Sequence, residues 1–133
     1  MELSEVCGAP GMRVADCFSQ AFPFVKTVQH IESENTMIDI TVVLSAKDIS
    51  RVADLRTLLA MQVNLSRQEP GCVRFEAFES QTVSGTFILI ERWESQTALD
   101  IHRTAKGFTT IYAPQVLPLV DRVAHVCSVL AGT

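Results

Sequence analysis

Several features that define whole classes of protein are missing from this chain of 133 residues. Its four cysteines, Cys7, Cys17, Cys72 and Cys127, form no Cys-x-x-Cys pair, and none lies near a histidine at the spacing of zinc ligands. No apolar run approaches the length of a membrane span, and the N-terminus lacks the basic and apolar regions of a secretory signal. We therefore expect a cytoplasmic protein with reduced thiols, no metal site and no membrane segment.

Motifs for nucleotides and cofactors are missing as well. The sequence has no Gly-rich phosphate loop, dinucleotide fingerprint or flavin motif, and no Ser-His-Asp arrangement that its spacing supports. Lysine and arginine number 11 against 15 aspartates and glutamates, a formal net charge of -4, and the basic residues form no cluster. Nucleic-acid binding usually needs a basic face. We therefore expect no cofactor and no nucleic-acid partner.

The residues that are present suit a single folded domain. A hydrophobic fraction of 47% is enough to build a core, and the length fits one domain. Residues 1–35 hold two of the five prolines and show no sustained hydrophobic period, so we separate them as an N-terminal extension from a domain at 36–133. The extension is either a packed arm or an artefact of an early start codon, and the sequence does not decide between these two interpretations.

Hydrophobic periodicity predicts the order β-α-β-β-α-β. Alternating and β-branched residues predict strands at 36–44, 72–79, 86–94 and 120–130. A first helix is predicted to follow a capping box of Ser45 and Asp48 and to end near Gln68. This order is that of an α+β, ferredoxin-like fold, with a four-stranded antiparallel sheet and helices on one face.

The second helical region is predicted in two pieces. Ser95 is a plausible N-cap for a helix that reaches His102. A further helical stretch is predicted from 105 to about 113, where Pro114 should end it.

Both faces of the predicted sheet are apolar. On the third strand Phe87 and Leu89 point to one side, and Ile88 and Ile90 point to the other. Helices cover one face, and an uncovered apolar face is an aggregation hazard. We therefore expect a homodimer in which the faces bearing Ile88 and Ile90 pack together. The alternative is that the N-terminal extension folds over this face.

Two stretches of the chain carry motifs of a known family. The segment from Ser66 to Cys72 reads Ser-Arg-Gln-Glu-Pro-Gly-Cys, and Glu91-Arg92-Trp93 ends the third predicted strand. Ala98-Leu99, His102 and then Phe108 follow on the second helical region. Together these motifs resemble the antibiotic-biosynthesis monooxygenase domain family, with S-R-x-E-P-G-C, E-x-W and A-L-x-x-H in matching order. The resemblance covers about residues 37–130.

The resemblance implies a fold, an assembly and a range of chemistry. Members of the family have the ferredoxin-like fold and form dimers whose sheets pack into an α/β barrel, with a pocket in each subunit between sheet and helices. They include cofactor-free oxygenases of quinols and polyketide anthrones, haem-degrading relatives and small isomerases. The haem-degrading branch uses an asparagine on the first strand, but here Asn35 precedes that strand. His102 matches the quinol-oxygenase branch instead.

His102 and Glu91 are the candidate catalytic residues that the resemblance implies. A histidine has an ordinary pKa near 6.5, which suits proton transfer at neutral pH. Glu91, which the resemblance places on the pocket face, is interpreted as a proton acceptor or as the partner that orients His102. The alternative is a structural ion pair between Glu91 and Arg67 or Arg103.

Three aromatic residues are the candidate substrate-binding residues. Trp93 is either a large core residue or a surface on which a flat aromatic substrate stacks. Phe108 and Tyr112 belong to a helical stripe that is either core or, if a pocket exists here, its lining, and in the second case the Tyr112 hydroxyl would orient a substrate oxygen. Arg67 and Glu69 are interpreted as structural residues of the turn before the second strand.

Two functions remain open from the sequence. One is a cofactor-free monooxygenase that oxidises a quinol-like or polycyclic aromatic molecule with molecular oxygen. The alternative is a non-enzymatic dimeric module that binds a small ligand or another protein. A cavity of several hundred cubic ångströms beside His102 would favour the enzyme, and a filled core there would favour the module.

Overall fold

A computed structural model of the chain describes residues 36–132. Residues 36–133 form one compact unit. The predicted N-terminal extension at 1–35 lies outside the described residues, so the division into extension and domain stays a prediction.

Four strands form one antiparallel sheet in the order β2-β3-β1-β4. The strands are β1 (Ile38–Ala46), β2 (Cys72–Glu79), β3 (Thr86–Trp93) and β4 (Val120–Cys127). The helical elements are α1 (Val52–Ser66) after a 3₁₀ turn (Ile49–Arg51), α2 (Gln96–His102), a π-helix (Gly107–Val116) and a 3₁₀ turn (Leu117–Leu119). This order confirms the predicted α+β ferredoxin-like fold.

Side chains cap the start of α2 and the start of the 3₁₀ turn before α1, the first as predicted and the second not. Ser95 caps α2, and its hydroxyl accepts a hydrogen bond from the Ala98 backbone N–H at 3.1 Å. The predicted capping box is wrong, because Ser45 belongs to β1 and lies in register with β3. Asp48 is itself the cap of the 3₁₀ turn and accepts from the Ser50 N–H at 2.9 Å.

Pro114 does not end the second helical region, contrary to the prediction. The π-helix continues to Val116 with Pro114 inside it. A proline lacks the N–H of a regular helical bond, so neighbouring donors must compensate. The side-chain amide of Gln115 donates to the Thr110 carbonyl at 2.8 Å, which supplies one such bond across the wide turn.

The core lies between the sheet and the helices. Phe87, Leu89 and Trp93 of β3 are buried on the side that faces the helices, while Ile88 and Ile90 point to the opposite side and are half-buried. This confirms the alternation that the sequence predicts for β3. Within residues 36–132, no helix is both long and apolar enough to cross a membrane.

Candidate functional site

Three elements bring most of the predicted site residues together. Glu91 and Trp93 lie at the end of β3, His102 ends α2, and Phe108 and Tyr112 lie on the π-helix. Residues 91 and 93 share the helix-facing side because side chains alternate along a strand. The rings of Phe108 and Tyr112 are neighbours, with centroids 5.3 Å apart. The site therefore depends on the packing of the helical region against the end of β3.

Aromatic rings enclose the imidazole of His102, which is only 3% exposed. Its centroid lies 4.5 Å from that of Trp93, with an interplanar angle of 33°. Phe75 and Phe108 lie at centroid distances of 5.6 and 5.5 Å, the latter edge-on. This packing holds the ring in one orientation, so its two nitrogens face different surroundings.

Glu69 is the hydrogen-bond partner of His102, at 2.8 Å between Glu69 Oε1 and His102 Nδ1. Both side chains are almost completely buried. The contact that orients His102 therefore comes from Glu69, which we interpreted from the sequence as a structural residue, and not from Glu91. The signal available in the sequence was the Ser-Arg-Gln-Glu-Pro-Gly-Cys motif itself.

The turn between α1 and β2 brings Glu69 to this position. Gly71 has a φ of 81°, a left-handed conformation that glycine adopts without strain. A Cβ atom at Gly71 would also collide with the Cβ atom of Ala98 on α2. Glycine therefore lets the turn close against α2, and this closure puts the Glu69 carboxylate beside His102.

Glu91 is buried without an ionic partner among residues 36–132. Its Oε2 accepts a hydrogen bond from Trp93 Nε1 at 3.0 Å, and the residue is 7% exposed. Neither predicted ion pair forms, and Arg103 lies 3.7 Å from Asp100 instead. Burial raises the pKa of Glu91, which the Trp93 hydrogen bond and the positive charges of nearby residues oppose only in part. Such a carboxyl can hold a proton closer to neutral pH.

The unaltered protein should become less stable as the pH rises and Glu91 ionises, and the variant Glu91→Gln should not show this decrease. Because the folded pKa of Glu91 is raised, the folded protein keeps this proton at pH values where the unfolded chain has lost it. The free energy of unfolding should then fall through this pH range by about 1.4 kcal/mol per unit of pKa difference.

Glutamine still accepts from Trp93 but cannot ionise, so the stability advantage of Glu91→Gln should grow as the pH rises above the ordinary glutamate pKa of 4.5 and level off above the raised pKa of the folded protein. Urea unfolding of both proteins at several pH values measures this difference. A difference that does not change with pH would contradict the raised pKa.

Arg122 is a site residue that the sequence analysis missed. Its Nε donates a hydrogen bond to the Tyr112 hydroxyl oxygen at 2.9 Å. Burial raises the pKa of Tyr112, and the positive charge of Arg122 opposes that effect. Alternation along β4 could have pointed to Arg122 in the sequence, because residues 120 and 122 lie on the same side of a strand and Val120 is buried against the helices. The Tyr112 hydroxyl donates no hydrogen bond to any residue in the range 36–132.

The cavity beside His102 is small, about 30 Å³, which is near the volume of one water molecule. His102, Glu91, Phe108, Tyr112 and Arg122 line it, together with Gln62, Ile40, Leu99 and Arg103. Trp93 does not, because it lies behind the imidazole. A cavity of several hundred cubic ångströms, the feature that would favour the enzyme, is therefore not present beside His102.

A larger groove of about 570 Å³ lies elsewhere, between α1 and β2. Leu59, Val63, Ala77 and Phe87 contribute apolar surface to it, but none of the predicted site residues lines it. We place the candidate site at the smaller cavity because the buried titratable groups converge there. Within the described part of the chain, no three His, Cys, Asp or Glu side chains are grouped as metal ligands would be.

Sequence comparison finds a family for more than half of the chain. Residues 37–113 match the profile of the family described as antibiotic biosynthesis monooxygenase. Rv0793 of Mycobacterium tuberculosis, a proposed monooxygenase, is 38% identical over 68 residues, which are 51% of this chain and 65% of that protein. The uncharacterised Synechocystis protein sll1783 is 40% identical over 37 residues, 28% of this chain and 25% of that protein. Less than two thirds of either relative is therefore matched.

Solved structures match over nearly their whole length. The structure of Rv0793 is 27% identical, with a TM-score of 0.64, and the match covers 73% of this chain and 98% of that one. A variant of SnoaB, described as a cofactor-independent oxygenase from Streptomyces nogalater, is 14% identical with a TM-score of 0.63. That match covers 72% of this chain and 95% of SnoaB, and at this identity it concerns the fold alone.

Proposed function

Because this chain belongs to the antibiotic biosynthesis monooxygenase family, we propose that it is a cofactor-independent monooxygenase acting on a quinol-like or polycyclic aromatic substrate. One observation carries the proposal. A buried histidine, a carboxyl of raised pKa and a tyrosine hydroxyl bound by an arginine meet at one cavity with an aromatic wall. These groups suit the removal of a proton from an acidic phenol or anthrone and the binding of the anion that results.

The proposed reaction begins with proton transfer to His102. The substrate anion is electron-rich, and its carbon adds to dioxygen to give a peroxide, which takes back one proton. The O–O bond of the peroxide then breaks. The outer oxygen leaves as water with its own proton and the hydrogen that remained on that carbon. One oxygen atom stays on the substrate as a carbonyl and the other leaves as water, so the substrate itself supplies all four electrons that reduce dioxygen.

Tyr112 and Arg122 would bind the negatively charged oxygen of the substrate. The Tyr112 hydroxyl accepts from Arg122, which polarises its O–H bond and leaves its proton available for the substrate. The exposed Arg122 side chain marks the solvent end of the cavity. Phe108, half-buried on the π-helix, supplies part of the aromatic wall of the cavity.

Replacing Tyr112 with phenylalanine, or Arg122 with glutamine, should lower kcat by about 10² to 10³, the usual effect of removing one donor to a developing oxyanion. Oxygen uptake with menadiol and with an anthrone, metals chelated, measures this effect. Arg74→Gln is the matched control, because Arg74 is an exposed arginine that pairs with Glu76 away from the cavity. Oxygen uptake no faster with the unaltered protein than in buffer, across such substrates, would count against the proposed function.

We also propose a homodimer that forms through the sheet face away from the helices. Phe78, Ile88, Val43 and Val123 are direct cross-strand neighbours, so an apolar row crosses all four strands of this face. Phe78 and Val123 are 48% and 55% exposed. A second copy of the same face would bury this row and would complete an α/β barrel.

A second candidate function is supported by the small cavity. At about 30 Å³ the space beside His102 is filled as a core would be, which favours a non-enzymatic dimeric module that binds a small ligand or another protein. Calorimetric titration with an aromatic quinone separates the two functions. Binding without oxygen uptake from the corresponding quinol would favour the module.

A further inference from the structure

We propose that Glu69 is a positioning residue that fixes the tautomer of His102, so that Nε2 is the nitrogen that accepts the substrate proton. The effect of Glu69 on catalysis rests on the proposed function, whereas its effect on the tautomer of His102 does not. The contact that carries it is the 2.8 Å hydrogen bond between Glu69 Oε1 and His102 Nδ1.

The chemistry of the two groups decides which of them donates. An ionised carboxylate has no proton and only accepts hydrogen bonds. With the Glu69 carboxylate as the acceptor, Nδ1 of His102 carries the hydrogen, and in the neutral imidazole the lone pair then belongs to Nε2. Nε2 forms no hydrogen bond with any residue in the range 36–132, so it is free to take up a proton.

The surroundings prevent the imidazole from exchanging its two nitrogens by rotation. Trp93 lies against one face at a centroid distance of 4.5 Å, and Phe108 meets the ring edge-on at 5.5 Å. Protein interiors are close-packed, so a ring held between such neighbours cannot turn over unless they move. The position of Glu69 thus sets both the orientation of the ring and its tautomer.

Glu69 follows two other buried polar residues along the chain. Gln62, Ser66 and Glu69 are spaced as i, i+4 and i+7, so they continue one face of α1 into the turn that follows its end at Ser66. Each has a buried polar atom without a hydrogen bond to the described residues, including Glu69 Oε2. Among the described residues, the Glu69 carboxylate therefore makes one side-chain hydrogen bond, the one to His102 Nδ1.

The test compares the full chain with Glu69→Gln, Glu69→Asp and a control, Asp100→Asn. Asp100 is an exposed carboxylate on the same helix as His102, and it pairs with Arg103 instead. NMR of ¹⁵N-labelled histidine reports which ring nitrogen is protonated. The chain has three histidines, so substitution of each in turn identifies the His102 signals.

We expect the Nδ1–H form in the full chain, in Asp100→Asn and in most molecules of Glu69→Asp. Glu69→Gln should show a mixture or the Nε2–H form, because a glutamine amide can also donate to Nδ1. In oxygen-uptake assays kcat should fall by about 10² in Glu69→Gln with KM little changed, and Glu69→Asp should recover part of it.

An unchanged tautomer in Glu69→Gln, or a changed tautomer with full kcat, would overturn the proposal. If the unaltered protein oxidises no quinol or anthrone, the proposed function fails, and the tautomer alone still decides whether Glu69 positions His102. If Glu69→Gln does not fold, Glu69→Ala takes its place under the same criterion: an unchanged Nδ1–H signal in it would overturn the inference, and loss of that signal would support it.

Discussion

Replacing His102 with alanine should lower the free energy of unfolding by about 3–5 kcal/mol, because the substitution removes a large buried ring and the hydrogen-bond partner of a buried carboxylate. Glu69 is almost completely buried, and within the described residues its Oε1 is bonded only to His102 Nδ1. Removal of the imidazole also leaves a cavity among Trp93, Phe75 and Phe108, which adds to the loss. Chemical unfolding of the two proteins at neutral pH measures the effect.

The double variant His102→Ala, Glu69→Gln is the matched control for this pair. Glutamine is uncharged, so the double variant should be more stable than His102→Ala alone. If the double variant is the less stable of the two, the charge of Glu69 is not the source of the loss.

Any oxygenase turnover per folded molecule of His102→Ala should also fall by about 10² to 10⁴, because no positioned base remains.

His102 therefore affects both stability and rate, which changes what the sequence alone leads us to expect. A histidine interpreted as catalytic from its family motif should be replaceable at little cost to the fold. The structure shows instead a buried pair inside an aromatic shell. Glu69→Gln separates the two effects better than His102→Ala, because it leaves the imidazole and the packing around it in place.

Replacing Ile88 with aspartate should abolish the proposed dimer. Ile88 lies in the middle of the apolar row, directly between Val43 on β1 and Phe78 on β2. In a dimer through this face the new carboxylate would be buried without a partner, at a cost of several kcal/mol. Each 1.4 kcal/mol raises the dissociation constant tenfold, so sedimentation at micromolar concentration should show monomers.

Val83→Asp is the matched control for the interface. Val83 is 59% exposed in the hairpin between β2 and β3, so the same chemical change there should affect neither fold nor assembly. Circular dichroism of Ile88→Asp shows whether the subunit is still folded. A folded Ile88→Asp protein that remains a dimer would remove this face from the interface.

The order of the elements could be predicted from the sequence because it depends on local patterns. Alternation along β3 separates Phe87 and Leu89 from Ile88 and Ile90, and the structure places the two pairs on opposite faces. The start of α2 at Ser95 was equally accessible, since an N-cap is a contact within three residues. The start of α1 was not, because pairing of Ser45 with Thr86 of β3 extends β1 past the predicted end.

The grouping of His102, Glu91, Phe108 and Tyr112 was predicted only through the family resemblance, and the structure brings them to one cavity. Their partners could not be predicted in this way. Glu69 lies 33 residues before His102, and Arg122 follows Tyr112 by 10 residues across a turn. Periodicity along the chain carries no information on contacts of this kind, which depend on how the elements pack.

The sequence by itself determined the fold class, the sheet faces and the residues that can carry proton chemistry, because side-chain period and residue type act over a few neighbouring positions. Only the tertiary structure decided that Glu69 rather than Glu91 holds His102, that Arg122 binds Tyr112 and that the cavity beside them is small. Those outcomes follow from the closure of the turn at Gly71 against α2 and from the packing of the π-helix on α1, which are long-range contacts.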